Sequence, residues 1–105
     1  VYFEFDSALV SPADARRLDE LARRLVAEPA LRVRVEGHTD ERGSAEYNIG
    51  LGERRATAVR RVLTLRGVEE RRVATVSYGE ERPAAEGASE SAWSLNRRAE
   101  VTIAR

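Results

Sequence analysis

The chain lacks cysteine, methionine and lysine, and it contains a single histidine. Without cysteine it can form no disulfide and offers no thiol nucleophile or thiolate metal ligand. No apolar run approaches the roughly 20 residues that a membrane-spanning helix requires. Because the starting methionine is missing, we expect residues 1–105 to be one domain cut from a longer protein, whose signal peptide, lipid anchor or upstream domain lies outside it.

The charges of the chain are balanced. All 18 basic residues are arginines, 18 acidic residues are interleaved with them, and the formal net charge is +0. Non-specific affinity for nucleic acid depends on a concentrated positive field that releases counterions. The composition therefore argues against nucleic acid as a partner.

Alternating apolar residues predict four strands. Residues 1–6 alternate with period two, which places Val1, Phe3 and Phe5 on one face. Similar alternation predicts strands over 32–37, 73–78 and 99–103. Such a pattern is typical of a sheet with one covered face and one face in water.

Helical spacing and capping residues predict the segments between these strands. Ser11 before Pro12 is a helix start, and apolar residues then recur at helical spacing. A second helix is predicted over 44–66, with Gly67 as its C-terminal residue, and a short third helix over 91–96. The order β-α-β-α-β-(α)-β predicts a two-layer α/β (α+β) sandwich, in which a four-stranded mixed sheet carries its helices on one face.

The residues give little support to an enzyme. His38, Asp40 and Glu41 supply one imidazole and two carboxylates, but no helix contributes the further ligands that a zinc site requires. The serines lie in no nucleophile-elbow context. We therefore predict a protein that is not an enzyme and carries no metal or cofactor, with His38 as a strand-end residue hydrogen-bonded to its surroundings.

Arg55 is the most informative residue of the second helix. On a 3.6-residue wheel it lies within the apolar stripe that contains Leu51 and Val59. A buried guanidinium is costly unless it is paired and hydrogen-bonded, so an anion should lie near it. Asp40, in the loop between Gly37 and Gly43, could supply this anion directly or could share a ligand site with Arg55. The residues alone leave both interpretations open.

A long central motif resembles a known family. The segments are GHTDERG at 37–43, EYNI at 46–49 and LGERRA at 51–56, and the likeness extends to VYF at 1–3, VSYGEERPA at 76–84 and SLNRRA at 94–99. Together they are similar to the OmpA-like peptidoglycan-binding domains, and within that family to the branch of peptidoglycan-associated lipoproteins. The resemblance spans nearly the whole chain.

The resemblance implies a set of binding residues. In the family, residues matching Asp40 and Arg55 hold the meso-diaminopimelate of the peptidoglycan stem peptide. Residues matching Phe5, Asp6 and Leu51 line the same pocket, and the asparagine position, Asn48, shapes the loop together with Gly43. Ser7-Ala8 departs from the Lys-Tyr that relatives often carry after the Phe-Asp pair.

The resemblance also implies a function and a location. It implies noncovalent tethering of the outer membrane to the cell wall within a Tol–Pal type system, at the periplasmic face of that membrane, with TolB as a second partner. A lipid anchor outside this chain would hold the protein in the membrane. Alternatives are an interaction module for which wall binding is secondary, the OmpA-like domain of a porin or of a flagellar stator protein, and a murein-processing enzyme.

Overall fold

The computed structural model describes residues 1–105, with three α-helices, one 3₁₀ turn and three strands. In chain order these are α1 (Pro12–Ala27), β1 (Arg32–His38), α2 (Ala45–Leu65), the 3₁₀ turn (Glu70–Arg72), β2 (Val73–Gly79), α3 (Glu90–Asn96) and β3 (Ala99–Ala104). All three predicted helices and the last three predicted strands are therefore present, and every end predicted above lies within one residue of the observed one.

Side-chain caps fix where the two long helices begin. The Ser11 hydroxyl accepts a hydrogen bond from the backbone N–H of Asp14, with Pro12 at the first helical position. The Ser44 hydroxyl accepts from the N–H of Tyr47 in the same way. After α2 the chain turns at Gly67, whose φ is +99°. None of the helices combines the length and the apolar character needed to cross a bilayer.

The sheet has the strand order β2-β1-β3, so β1 is central. β1 pairs in parallel with β2 and antiparallel with β3, which makes the sheet mixed, as predicted. The register against β2 shifts between Gly37 and His38. This irregularity lies at the end of β1, immediately before the loop that carries Asp40.

Both long helices cover one face of the sheet and close the hydrophobic core there. Val33 and Val35 of β1 point into this core, whereas Arg34 on the other face is exposed. The backbone of α2 lies directly against the backbone of β1. A Cβ added at Gly37 would lie only 1.7 Å from the carbonyl oxygen of Gly52. The core residues include Leu18, Leu25, Leu31, Val33, Val35, Val59, Leu63 and Val73.

The predicted first strand is wrong, and the sheet has three strands instead of four. Val1 exchanges two backbone hydrogen bonds with Ala99, and the Phe3 N–H donates to Arg97 O, but only one isolated antiparallel bridge, Tyr2 to Arg98, results. The chain then turns, since the Ser7 N–H donates to Glu4 O and Asp6 has a φ of +54°. Phe3 is buried as the alternation predicts, whereas Phe5 is 57% exposed.

Candidate binding site

A cavity of about 190 Å³ lies where the loop after β1, the first turns of α2 and the segment before α1 meet. It contains all seven residues that the resemblance implies: Phe5, Asp6, Asp40, Gly43, Asn48, Leu51 and Arg55. Its remaining lining residues are Thr39, Arg42 and Tyr47. The structure thus brings together residues up to 50 positions apart in the sequence at the carboxyl end of β1, the edge where α/β sheets commonly place ligands.

Arg55 is fully buried, as its place in the apolar stripe predicts. Its Nε donates to Ser7 O at 2.9 Å, its Nη1 to His38 O at 2.9 Å and its Nη2 to Glu4 O at 3.2 Å. Burial lowers the pKa of Arg55 to about 10, against the opposing effect of the Asp40 charge. The guanidinium therefore remains protonated at neutral pH.

The hydrogen-bond partners of Arg55 bear on the interpretation that Asp40 is its direct ion-pair partner. Asp40 pairs with Arg42 and Arg97 and makes no direct ion pair with Arg55. Three of the five guanidinium N–H groups of Arg55 are bonded to neutral carbonyls, which leaves one N–H on Nη1 and one on Nη2. A buried positive charge with two unused donors therefore borders the cavity.

Asp40 supplies the opposite charge and is itself 4% exposed. Its Oδ2 lies 2.8 Å from Arg42 Nη2 and 3.8 Å from Arg97 Nη1, and its Oδ1 accepts from the Arg42 backbone N–H. Burial raises the pKa of Asp40, but the hydrogen bonds and charge of Arg42, with the charge of Arg97, outweigh this effect and hold it below its ordinary value. The carboxylate is ionised at neutral pH.

The segment before α1 contributes an aromatic ring and a second carboxylate. The positive φ of Asp6 turns its side chain into hydrogen-bonding contact with the Tyr47 hydroxyl, which donates to Asp6 Oδ1. The Phe5 ring lies 4.0 Å from the guanidinium carbon of Arg42, and the Trp93 ring lies 4.1 Å from it. Arg42 is thus held between two aromatic rings beside Asp40.

Asn48, Gly43 and Leu51 shape the cavity from α2 and the loop before it. The Asn48 amide donates to Asp40 O at 3.4 Å and to a Glu80 carboxylate oxygen at 3.0 Å, so it ties the loop to the end of β2. Gly43 has a φ of +100°, which residues with a Cβ rarely adopt. Leu51 is 5% exposed and supplies apolar surface.

The prediction for His38 is wrong for its side chain. The imidazole is 1% exposed, but neither ring nitrogen has a hydrogen-bond partner. The main chain of His38 is bonded, since its N–H donates to Arg98 O and its carbonyl accepts from Arg55. No group of three or more His, Cys, Asp or Glu side chains converges in a way that could hold a metal ion.

Sequence reasoning missed several residues that complete the site. Arg42, Tyr47 and Thr39 line the cavity, and Trp93 and Arg97 support it from α3 and the turn after it. Tyr47 lies one turn before Leu51 on α2, so the helical wheel could have placed it on the same face as Leu51 and hence near the cavity. Trp93 and Arg97 follow Arg42 by about 50 residues, and nothing in local periodicity indicates their contact.

The geometry combines a buried cation with free donors, a buried carboxylate, a second carboxylate and an apolar wall. A ligand that bears both an ammonium and a carboxylate can satisfy both signs at once. A ligand without a carboxylate would leave the two unused N–H groups of Arg55 without a partner, which is costly in a desolvated site. The cavity is therefore suited to the zwitterionic end of an amino acid.

Comparisons with known proteins define the class to which this fold and cavity belong. The profile of the OmpA family matches residues 2–97. The C-terminal domain of MotB from Helicobacter pylori superposes with a TM-score of 0.88 over 99% of this chain and 82% of that one, at 24% identity, a level that shows the fold alone. The chain belongs to the OmpA family.

Within that family the chain is similar to peptidoglycan-associated lipoproteins. It is 53% identical over 100 residues to the protein of that name from Pseudomonas putida, covering 95% of this chain and 60% of that protein. It is 54% identical over 99 residues to the one from Pasteurella multocida, covering 94% and 66%. The crystal structure of the peptidoglycan-associated lipoprotein from Burkholderia pseudomallei superposes with a TM-score of 0.97 at 43% identity, covering 99% and 88%. The chain thus spans about three fifths of the length of several curated relatives that it matches.

Proposed function

We propose that this domain binds the stem peptide of peptidoglycan, with the free end of meso-diaminopimelate in the cavity. The observation that carries the proposal is the buried Arg55 guanidinium, which keeps two unused N–H donors beside the cavity that Asp40 and Asp6 also line. The diaminopimelate side chain ends in one carboxylate and one ammonium. Arg55 would donate two hydrogen bonds to that carboxylate, and Asp40 or Asp6 would accept from the ammonium.

The same arrangement gives a basis for specificity. A stem peptide with lysine in place of diaminopimelate has the ammonium but lacks the carboxylate. Binding it would bury Arg55 with two donors unsatisfied, and a site built for a polar group rejects a ligand without it more strongly than a ligand lacking a methylene. We therefore infer that the domain prefers diaminopimelate-type peptidoglycan.

In the full-length protein this binding would tether the outer membrane to the cell wall. The names of the relatives, peptidoglycan-associated lipoproteins, support this proposal. A lipid anchor outside the chain would hold the domain at the periplasmic face, within a Tol–Pal type system. Affinity for one stem peptide would be modest, roughly micromolar to submillimolar. Such an affinity would be sufficient, because the membrane carries many anchors and the wall many sites, which together supply avidity.

The test is isothermal titration with a diaminopimelate-containing stem peptide and with its lysine counterpart. We expect binding of the first, and at least about tenfold weaker binding of the second. Arg55→Lys keeps the charge but loses the two-pronged donor, and Asp40→Asn loses the acceptor charge, so both should weaken binding of the first peptide by about tenfold or more.

Arg61→Lys is the matched control for this experiment. Arg61 is exposed on the same helix and lies outside the cavity, so its substitution should leave the affinity unchanged. Equal affinity of the wild-type domain for both peptides would contradict the proposed specificity. Unchanged binding by folded Arg55→Lys and Asp40→Asn would reject the site.

A second candidate function is an interaction module with TolB as the main partner. An open groove of about 600 Å³ runs along α2, and it carries the exposed apolar side chains of Leu9 and Leu65. A domain that binds TolB, loses this binding in Leu9→Ser with Leu65→Ser, and binds no stem peptide would favour this candidate. Release of soluble fragments from sacculi would instead indicate a murein-processing enzyme.

The porin and stator alternatives are less well supported. Identity is 43% to the lipoprotein domain from Burkholderia pseudomallei, against 24% to the MotB domain and 20% to the OmpA-like domain of FopA1 from Francisella tularensis. The last two likenesses show only a shared fold. The full-length sequence would distinguish the three kinds of protein. A lipobox cysteine upstream would indicate a lipoprotein, a β-barrel would indicate a porin, and a single transmembrane helix would indicate a stator protein.

A further inference from the structure

Arg97 is a buried cation that lies behind the cavity without lining it. It follows α3 directly, and its side chain is 7% exposed. Its Nε donates to Phe3 O at 2.9 Å, and its own carbonyl accepts from the Phe3 N–H at 2.9 Å. Both backbone polar groups of Phe3 are therefore bound by one residue.

This clamp on Phe3 fixes the segment that forms one wall of the cavity. The carbonyl of the next residue, Glu4, accepts a hydrogen bond from Arg55, and so does the carbonyl of Ser7 three positions later. Phe5 and Asp6, between them, line the cavity. The wall is thus held by Arg97 at its start and by Arg55 along its length, and it makes no continuous ladder with β3.

Arg97 also acts on the carboxylate of Asp40. Its Nη1 lies 3.8 Å from Asp40 Oδ2, while Nη2 and Nη1 donate to Glu90 at 2.8 and 3.4 Å. The other cation on Asp40, Arg42, is 32% exposed, whereas Arg97 is almost wholly withdrawn from water. The charge of Arg97 is consequently less screened by water than that of Arg42, although it lies farther from Oδ2, at 3.8 Å against 2.8 Å.

We infer that Arg97 is a positioning residue of the binding cavity: it anchors the Phe3–Asp6 wall through Phe3 and holds the Asp40 carboxylate by a buried ion pair. The inference rests on the proposed function, which it deepens by adding a residue that touches no ligand. Arg97 acts through Asp40 and the wall.

The test compares Arg97→Gln with Arg97→Lys by two measurements. The first is the titration of the Asp40 carboxyl carbon, followed by NMR in the free domain. The second is the pH dependence of the dissociation constant for the diaminopimelate peptide. Loss of the positive charge in Arg97→Gln should raise the pKa of Asp40, so binding should be lost at a higher pH as the pH falls.

Arg97→Lys keeps the charge but not the fork that reaches both Phe3 and Glu90. We expect the pKa of Asp40 in Arg97→Lys to be close to its wild-type value. The variant should still bind the peptide about tenfold more weakly than the wild type at neutral pH. Arg42→Gln is the positive control, and it should raise the pKa of Asp40 by more than Arg97→Gln does, since Arg42 makes the direct hydrogen bonds. Arg98→Gln is the negative control, because Arg98 pairs with Glu100 away from the cavity.

Two results would overturn the inference. One is an unchanged Asp40 titration in folded Arg97→Gln, even if peptide binding falls. The other is wild-type affinity in Arg97→Lys, and this result decides the question even if Arg97→Gln does not fold. If the wild-type domain fails to bind the peptide, the proposed function is wrong, while the titration in the free domain still tests the ion pair between Arg97 and Asp40.

Discussion

At the scale of single residues, arginine chemistry organises the cavity. The sequence predicts that Arg55 is buried and needs polar partners, and its burial is confirmed. Its partners are three main-chain carbonyls from two distant segments, which no side-chain pattern encodes. A guanidinium can serve such carbonyls and still have donors left for a ligand, because its five N–H groups point in different directions.

His38 provides a prediction at the same scale. Burial is the main cause that lowers the pKa of His38, with the charge of Arg98 acting in the same direction. Glu36 and Glu100 oppose this, with carboxylate oxygens 3.7 and 4.0 Å from Nε2. The centroid of the Tyr78 ring lies 5.6 Å from that of the imidazole. The folded protein therefore binds this proton less readily than the unfolded chain does.

The consequence is a loss of stability in mild acid. Above the ordinary pKa of 6.5 both states hold His38 neutral, and no penalty arises. As the pH falls below 6.5 the unfolded chain gains a proton first, so the free energy of unfolding decreases until the folded pKa is passed. Urea unfolding at several pH values should show this slope in the wild type and a smaller slope in His38→Gln. Identical slopes would contradict the prediction.

At the scale of elements, caps and turns set where helices begin, whereas backbone proximity sets how they pack. Ser11 and Ser44 start α1 and α2 as predicted, because a hydroxyl next to free N–H groups is a local signal. The contact between Gly37 of β1 and Gly52 of α2 is not local. It lets the helix that carries Arg55 lie directly against the end of the strand that leads to Asp40.

Gly37→Ala should therefore be strongly destabilising. The added methyl group would lie 1.7 Å from the backbone oxygen of Gly52, so α2 would have to move away from the sheet. We expect a loss of about 3 kcal/mol or more in the free energy of unfolding, measured by urea denaturation.

Gly50→Ala is the matched control on α2. The nearest atom to a Cβ there is the end of the Arg54 side chain at 3.5 Å, so the methyl group fits. Replacing a glycine in the interior of a helix should raise stability by about 0.5–1 kcal/mol. Similar effects of the two substitutions would show that the close approach of α2 to β1 is unimportant.

At the scale of the whole molecule, buried arginines connect the layers. Arg72 is 4% exposed, and its guanidinium donates to the carbonyls of Leu25, Glu28 and Leu31 at 2.7–3.1 Å. It joins the end of α1 and the turn before β1 to the residue that precedes β2. Together with Arg55 and Arg97, it ties segments that are far apart in the chain.

Arg72→Lys should lower the stability of the whole domain. A single ammonium cannot reach the three carbonyls in the same geometry, and each buried carbonyl left unpaired costs about 1–3 kcal/mol. Arg71→Lys is the control, since Arg71 is exposed and pairs only with Glu69, and it should change stability by less than about 0.5 kcal/mol. Equal thermal midpoints of the two variants would argue against this role of Arg72.

The structure departs from the predicted four-stranded sheet for a reason at this same scale. Residues 1–6 alternate as a strand does, and Phe3 is buried as that pattern requires. Beyond Phe3, however, the carbonyls of Glu4 and Ser7 bond to Arg55 and not to a neighbouring strand. A tertiary partner has replaced the ladder, and periodicity cannot indicate such a replacement.

The sequence by itself determined the three helices and three of the four predicted strands, the mixed sheet, the burial of Arg55 and, through the family motif, the residues that border the cavity. These features depend on spacing, caps and turn residues, which act over a few positions of the chain. Only the tertiary structure decided that Asp40 pairs with Arg97, that carbonyls surround Arg55, and that the first segment leaves the sheet. Each of these depends on atoms from segments far apart in the chain, which come together only when helices, strands and loops pack against one another.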